Sequence, residues 1–163
     1  MKYAVLYQSN TGNTKKIAEA IFDEINTEEK VLVDIYDMSH LPKADVYFVG
    51  FAVCNQSCSL SVMETLDSIE DSKVALFATC GFYPVEKYKD NIEKSMQAWI
   101  NVDVEYLGMY LCQGCVQHSQ QVKFVNETSY AKDAIHEMFD KGESHPDEED
   151  IRDAKEFVRS VFA

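Results

Sequence analysis

The sequence predicts an α/β protein with a doubly wound, five-stranded parallel sheet. Short apolar runs, typical of strands that are buried on both faces, alternate along the chain with segments whose apolar residues recur at helical spacing. The chain has 163 residues, 46% of them hydrophobic, which is enough for one substantial core. We therefore expect residues 1–163 to form a single domain.

The first predicted unit is a strand, a polar loop and a helix. Residues 3–7 form the apolar strand, and the helical pattern begins near Lys15. Between them lie three hydroxyl side chains, two asparagines and one glycine: Ser9, Asn10, Thr11, Gly12, Asn13 and Thr14. A loop of this composition at a helix N-terminus can bind an anion through its backbone N–H groups.

The same loop indicates which anion is expected. Gly12 allows a tight turn, and Ser9, Thr11 and Thr14 can donate hydrogen bonds to phosphate oxygens. The loop contains no lysine or arginine, so it suits one terminal monophosphate better than a triphosphate. A polar turn that only caps the helix is the alternative, and loop chemistry alone leaves it open.

The remaining elements follow in alternation. Further strands are predicted at residues 31–36, 46–50, 74–78 and 104–111, and helices at 60–68 and 130–141. A helix with Tyr88, Ile92, Met96 and Trp99 on its inner face follows the fourth strand. A last helix is predicted to open at residues 144–146, with Pro146 in its first turn and acidic residues after it. Residues 116–129 are polar and receive no assignment.

Two more loops are predicted at the edge of the sheet that carries the polar loop. In open parallel sheets, ligands bind at the carboxyl ends of strands. The loop after the third strand supplies Phe51, Ala52, Val53, Cys54 and Asn55, and the loop after the fourth supplies Thr79, Cys80, Gly81, Phe82 and Tyr83. Phe82 or Tyr83 can stack on a flat aromatic ring. Local packing above the sheet is the alternative.

Composition limits the partners and the compartment. The net charge of -13 argues against nucleic acid and anionic membranes, and favours a protein partner with a basic docking patch. We expect no membrane span, because no run of about 18 apolar residues occurs. The absence of a signal-peptide pattern leads us to expect the cytoplasm.

The five cysteines are an odd number, which makes reduced thiols the expectation. Cys112 and Cys115 have the spacing of a redox or metal motif, and Cys54 and Cys58 form a second pair. A zinc site needs four ligands and a thioredoxin-type dithiol follows a first strand, so neither interpretation is favoured. No metal ligands are assigned.

Together these segments resemble the flavodoxin family over essentially the whole chain, and the short-chain type in particular. The resemblance implies strand order 2-1-3-4-5, noncovalently bound FMN, and electron transfer at the exposed edge of the flavin ring. Residues 9–14 would then hold the phosphate, and residues 51–58 and 79–83 would flank the ring. The matching segments are residues 9–14, 46–50 with the following loop, 78–84, 111–114 and 145–150.

The loop after the third strand departs from the family pattern. Relatives commonly carry a tryptophan there, whereas this chain has Ala52, Val53 and Cys54. The resemblance implies a residue with positive φ in this loop. The loop lacks glycine, so Asn55 is the best candidate for that position. Trp99, the only tryptophan, is predicted on a core helix.

We therefore expect a small FMN protein that shuttles electrons between redox protein partners, because 163 residues leave little room for a nicotinamide site. The alternative is an FMN-dependent NAD(P)H:quinone or nitro-compound reductase on the same scaffold. A flavin-free interaction module remains as a third class if the polar loop is only a cap. A monomer is expected, and a dimer is left open.

Overall fold

A computed structural model describes residues 1–163 and contains one five-stranded sheet in which every pairing is parallel. The strand order is β2-β1-β3-β4-β5, which confirms the predicted fold class and order. The strands are β1 (Tyr3–Tyr7), β2 (Lys30–Asp34), β3 (Val46–Ala52), β4 (Lys73–Cys80) and β5 (Glu105–Gln113). The helices are α1 (Asn13–Glu24), α2 (Leu60–Asp67), α3 (Glu86–Gln97), α4 (His118–Glu127), α5 (Lys132–Gly142) and α6 (Glu148–Val161).

The sheet is covered on both faces because alternate residues of its strands point to opposite sides. Val5 and Phe48 pack with residues of α1 and α6, such as Ile17 and Val158. Leu6 and its neighbours on the other face pack with residues of α2 and α3. Consecutive strands are thus joined by crossovers on either side of the sheet. None of the helices has both the length and the hydropathy that crossing a bilayer requires.

Two expectations about helix ends were wrong. Trp99 lies beyond the end of α3 and is 38% exposed, so it is not a core residue. Pro146 precedes α6, whose N-cap is Asp147. The Asp147 carboxylate accepts the N–H groups of Glu149 and Asp150, and the Asp150 carboxylate accepts the N–H of Asp147. This capping box sets the start of the helix.

Helix α4 lies in the polar segment 116–129, for which the sequence predicts no element. It is mostly exposed, with Val125 as its one buried residue. It packs with α5 in a small separate cluster that includes Ile135, Met138 and Phe139. The α4–α5 pair is therefore an addition to the doubly wound core, since α6 already covers the sheet face next to α1.

The contact between Gly50 in β3 and Phe77 in β4 provides a test of the packing. A Cβ at position 50 would lie 2.1 Å from the Phe77 ring. We expect Gly50→Ala to lower the free energy of unfolding by about 3 kcal/mol, because the added methyl group would overpack the core. Urea unfolding measures the losses. The double variant Gly50→Ala, Phe77→Leu should lose less free energy of unfolding than the two single variants lose in sum. Additive losses would contradict this contact.

Candidate functional site

A cleft opens where the carboxyl ends of four strands meet. Its walls come from the loops after β1, β3, β4 and β5, which the strand order brings to one edge of the sheet. The residues that line it are Ser9, Asn10, Thr11, Asn13, Thr14, Ala52, Val53, Thr79, Cys80, Gly81, Gly114, Cys115, Val116, Gln117 and Gln120. None of these side chains carries a formal charge.

The floor of the cleft is the N-terminus of α1. Gly12, the N-cap, has φ 97° and no side chain that could cap the helix. Of the backbone N–H groups from Ser9 to Lys15, only that of Gly12 has an acceptor within the chain, the Ser9 hydroxyl at 3.1 Å. The other N–H groups and the helix dipole present partial positive charge to the cleft, which suits an anion.

The two cations in the first turns of α1 are engaged away from the cleft. Lys15 pairs with Glu19, with 3.9 Å between the ammonium and the carboxylate. The Lys16 ammonium donates to the carbonyl of Pro146, just before α6. The cleft is therefore a site of neutral donors, as the composition of the loop predicted.

Hydrogen bonds from other elements hold the loop in place. The hydroxyls of Thr14 and Thr79 lie 2.9 Å apart, and both residues are buried. The Asn13 amide donates to the carbonyl of Cys115 at 2.8 Å. This close approach requires Gly114, because a Cβ there would lie 2.7 Å from the Asn13 amide nitrogen. The start of α1 is thereby fixed to the end of β4 and to the loop after β5.

A second, more apolar cavity adjoins the cleft through four shared residues: Val53, Gly81, Val116 and Gln120. Four aromatic residues line it, namely Phe82, Tyr88, Phe124 and Phe139. Burial raises the pKa of Tyr88 to about 12, so its phenol stays neutral at physiological pH. The combined site has a polar, donor-rich end and an aromatic end.

The predicted site residues divide by position. Ten of them line the cleft, and Asn55 and Phe82 line the second cavity. Gly12 shapes the turn, while Phe51 is buried in the core with 1% of its surface exposed. Cys54 is exposed outside both cavities. Tyr83 is 39% exposed, and the Lys141 ammonium lies 5.8 Å from the centre of its ring.

The loop after β3 contains a two-residue hairpin turn. Cys54 and Ser57 exchange both backbone hydrogen bonds, at 2.9 and 3.0 Å. Asn55 has φ 51° and Gln56 has φ 58°. We expected left-handed geometry at Asn55 but not at Gln56. Glutamine is uncommon in this conformation.

Sequence reasoning missed lining residues from the loop after β5, from α4 and, at Tyr88 and Phe139, from α3 and α5. Gly114, Cys115, Val116 and Gln117 follow β5, and the strand-end rule that identified the other loops also applies to them. Gln120 and Phe124 lie on α4, whose polar sequence gave no periodic signal. Only the tertiary structure brings that helix to the site.

All five cysteines are free thiols. Burial raises the pKa of Cys58 to about 11 and of Cys80 to about 12, and it also raises the pKa of Cys112. The buried thiols are therefore protonated near neutral pH and are poor nucleophiles. The Cys80 thiol donates weakly to the carbonyl of Phe82, which lies 3.3 Å from the sulfur.

The chain belongs to the flavodoxin domain family, which matches residues 4–159. It is 33% identical over 171 aligned residues to the flavodoxin-like domain-containing protein BilS of Clostridioides difficile (strain CD3), covering 99% of this chain and 97% of that protein. Among solved structures, oxidised flavodoxin 2 from Bacillus cereus has a TM-score of 0.62 at 17% identity, with 99% and 98% coverage.

A flavoprotein in complex with FMN from Lactobacillus acidophilus NCFM has a TM-score of 0.50 at 17% identity, covering 68% of this chain and 92% of that one. At these identities the structural matches show the fold. The family and the fold together support a flavin-binding protein with a redox role.

The pair of buried hydroxyls predicts a coupled effect on stability. Thr14→Val and Thr79→Val should each lower the free energy of unfolding by about 1–3 kcal/mol, because each leaves the partner hydroxyl buried without a hydrogen bond. The double variant removes both groups and should lose less than the sum. Urea unfolding of the flavin-free protein measures all three, and additive losses would show that the hydroxyls are not coupled.

Thiol accessibility gives a second test. At pH 8, brief iodoacetamide treatment should label the exposed Cys54 first, since burial and raised pKa protect Cys58, Cys80 and Cys112 until denaturant is added. Mass spectrometry locates the label, and Cys54→Ser is the control. A peptide 2 Da lighter, with Cys112 joined to Cys115, would contradict the free-thiol state.

Proposed function

We propose that the protein binds FMN noncovalently and carries electrons between redox protein partners. The observation that supports this most is the continuity of two unlike surfaces. Unpaired N–H donors at the start of α1 lead, through Val53, Gly81 and Val116, into a cavity lined by aromatic rings. A ligand with an anion at one end and a flat ring at the other suits both parts.

The phosphate would be held by neutral groups alone. Candidate donors are the backbone N–H groups of Thr11, Asn13 and Thr14 and the hydroxyl of Thr11. The Thr14 hydroxyl keeps a proton for the phosphate when the Thr79 hydroxyl donates to it. A monophosphate suits this site because no cation is present to balance the charge of a longer phosphate chain.

The flavin, when bound, supplies the electron-transfer chemistry, while the protein positions it and limits its exposure to water. Val53 and Val116 are partly buried apolar walls where the cleft meets the aromatic cavity. The net charge of -13 supports partners that dock through basic patches. The free thiols support a reducing compartment such as the cytoplasm.

The carrier and the reductase are separated by one experiment on purified protein loaded with FMN. If the protein is a carrier, NAD(P)H should not bleach the spectrum of the bound flavin, whether or not a quinone is present. Rapid oxidation of NAD(P)H in the presence of the quinone, with no second protein added, would support the reductase instead of the carrier. If the visible spectrum of FMN does not change on titration with the protein, the flavin proposal fails.

The phosphate contact is tested by comparing FMN with riboflavin, which lacks the phosphate. Thr11→Ala should weaken FMN binding about tenfold or more, since a hydrogen bond to a charged group is lost. Riboflavin binding should be unchanged, which makes it the matched control. Fluorescence titration measures both ligands, and equal weakening of the two would place Thr11 away from the phosphate.

A further inference from the structure

Helix α4 lies beside the proposed flavin site. The faces of the sheet are covered by other helices, namely α1 and α6 on one side and α2 and α3 on the other. Helix α4 packs against α5, and its one buried residue is Val125. Gln120 lines both the cleft and the aromatic cavity. Phe124, four residues later and hence on the same helix face, lines the aromatic cavity. One face of α4 thus follows the site from its polar end to its aromatic end.

Neighbouring rings hold Phe124 in position. Its ring centre lies 5.2 Å from that of Phe82, in the loop after β4, and 5.8 Å from that of Phe139, in α5. The interplanar angles of 60° and 81° correspond to the edge-to-face arrangement that aromatic pairs prefer. Phe124 is nevertheless only half-buried, whereas Phe139 is 3% exposed. The remaining surface of Phe124 contributes to the cavity.

The wall formed by the loop after β3 supplies no aromatic side chain. Its contributions to the cavity are Val53, Asn55 and Gln56. The aromatic surface is on the side of α3, α4, α5 and the loop after β4. A flat ring that enters the cavity therefore gains its aromatic contacts from that side, and α4 brings one of them.

We propose that α4 forms one wall of the flavin-ring site and that Phe124 contacts the isoalloxazine ring as a binding residue. This inference rests on the proposed function, since it needs the flavin to occupy the site. It assigns a role to a helix that lies outside the doubly wound core. Affinity for the ring, as distinct from the phosphate, then depends on α4.

The test uses Phe124→Leu in the full chain, which keeps apolar volume but removes the ring. FMN and riboflavin should both bind about 3- to 10-fold more weakly, and by the same factor, because the lost contact is to the part that they share. Fluorescence of the bound flavin should rise as an aromatic neighbour is lost. Val122→Ala, at a 45% exposed position of the same helix, is the matched control and should change neither quantity.

A second variant covers the case in which Phe124→Leu fails to fold. Phe124→Trp should retain flavin affinity and keep the bound flavin dim, since it preserves an aromatic surface. Unchanged affinity and fluorescence in Phe124→Leu would overturn the proposal, as would loss of binding in Phe124→Trp with thermal stability preserved. Failure of the proposed function is a different result, in which the unaltered protein binds neither FMN nor riboflavin.

Discussion

The left-handed turn at Gly12 is the constraint on which the site depends. It brings the chain from the end of β1 directly into α1, and a glycine N-cap has no side chain to occupy the first N–H groups of the helix. Acidic residues, which would balance the dipole, are absent from the first turn. The N–H groups are thus left for a ligand at the edge where the carboxyl ends of four strands meet.

The candidate site is uncharged, although the protein as a whole is strongly acidic. The cleft and the aromatic cavity are lined by uncharged side chains, while the chain as a whole carries -13. Lys15 and Lys16, the two cations in the first turns of α1, interact with Glu19 and with the carbonyl of Pro146. The proposed anion recognition therefore relies on oriented backbone dipoles, which hold their direction because neighbouring segments are hydrogen-bonded to one another.

The loop after β5 and helix α4 make the site more enclosed than the core fold alone would. Asn13 bonds the carbonyl of Cys115, and Gly114 permits the approach. From there the chain runs through Val116 and Gln117 into α4, whose side chains line both cavities. The spacing of Cys112 and Cys115 that suggests redox chemistry thus falls in a segment whose backbone closes the cleft.

The sequence by itself determined the sheet, the helices other than α4 and the loop at residues 8–14, because buried strands and amphipathic helices leave periodic patterns and the loop is contiguous. The family resemblance led us to expect a residue with positive φ in the loop after β3, and the residue type identified Asn55 as the best candidate, which has φ 51°. The tertiary structure decided what depends on distant neighbours. Phe51 points into the core rather than the site, Trp99 is exposed, and α4 lies beside the aromatic cavity. A local pattern carries no information on such contacts, because they arise only when separate elements pack together.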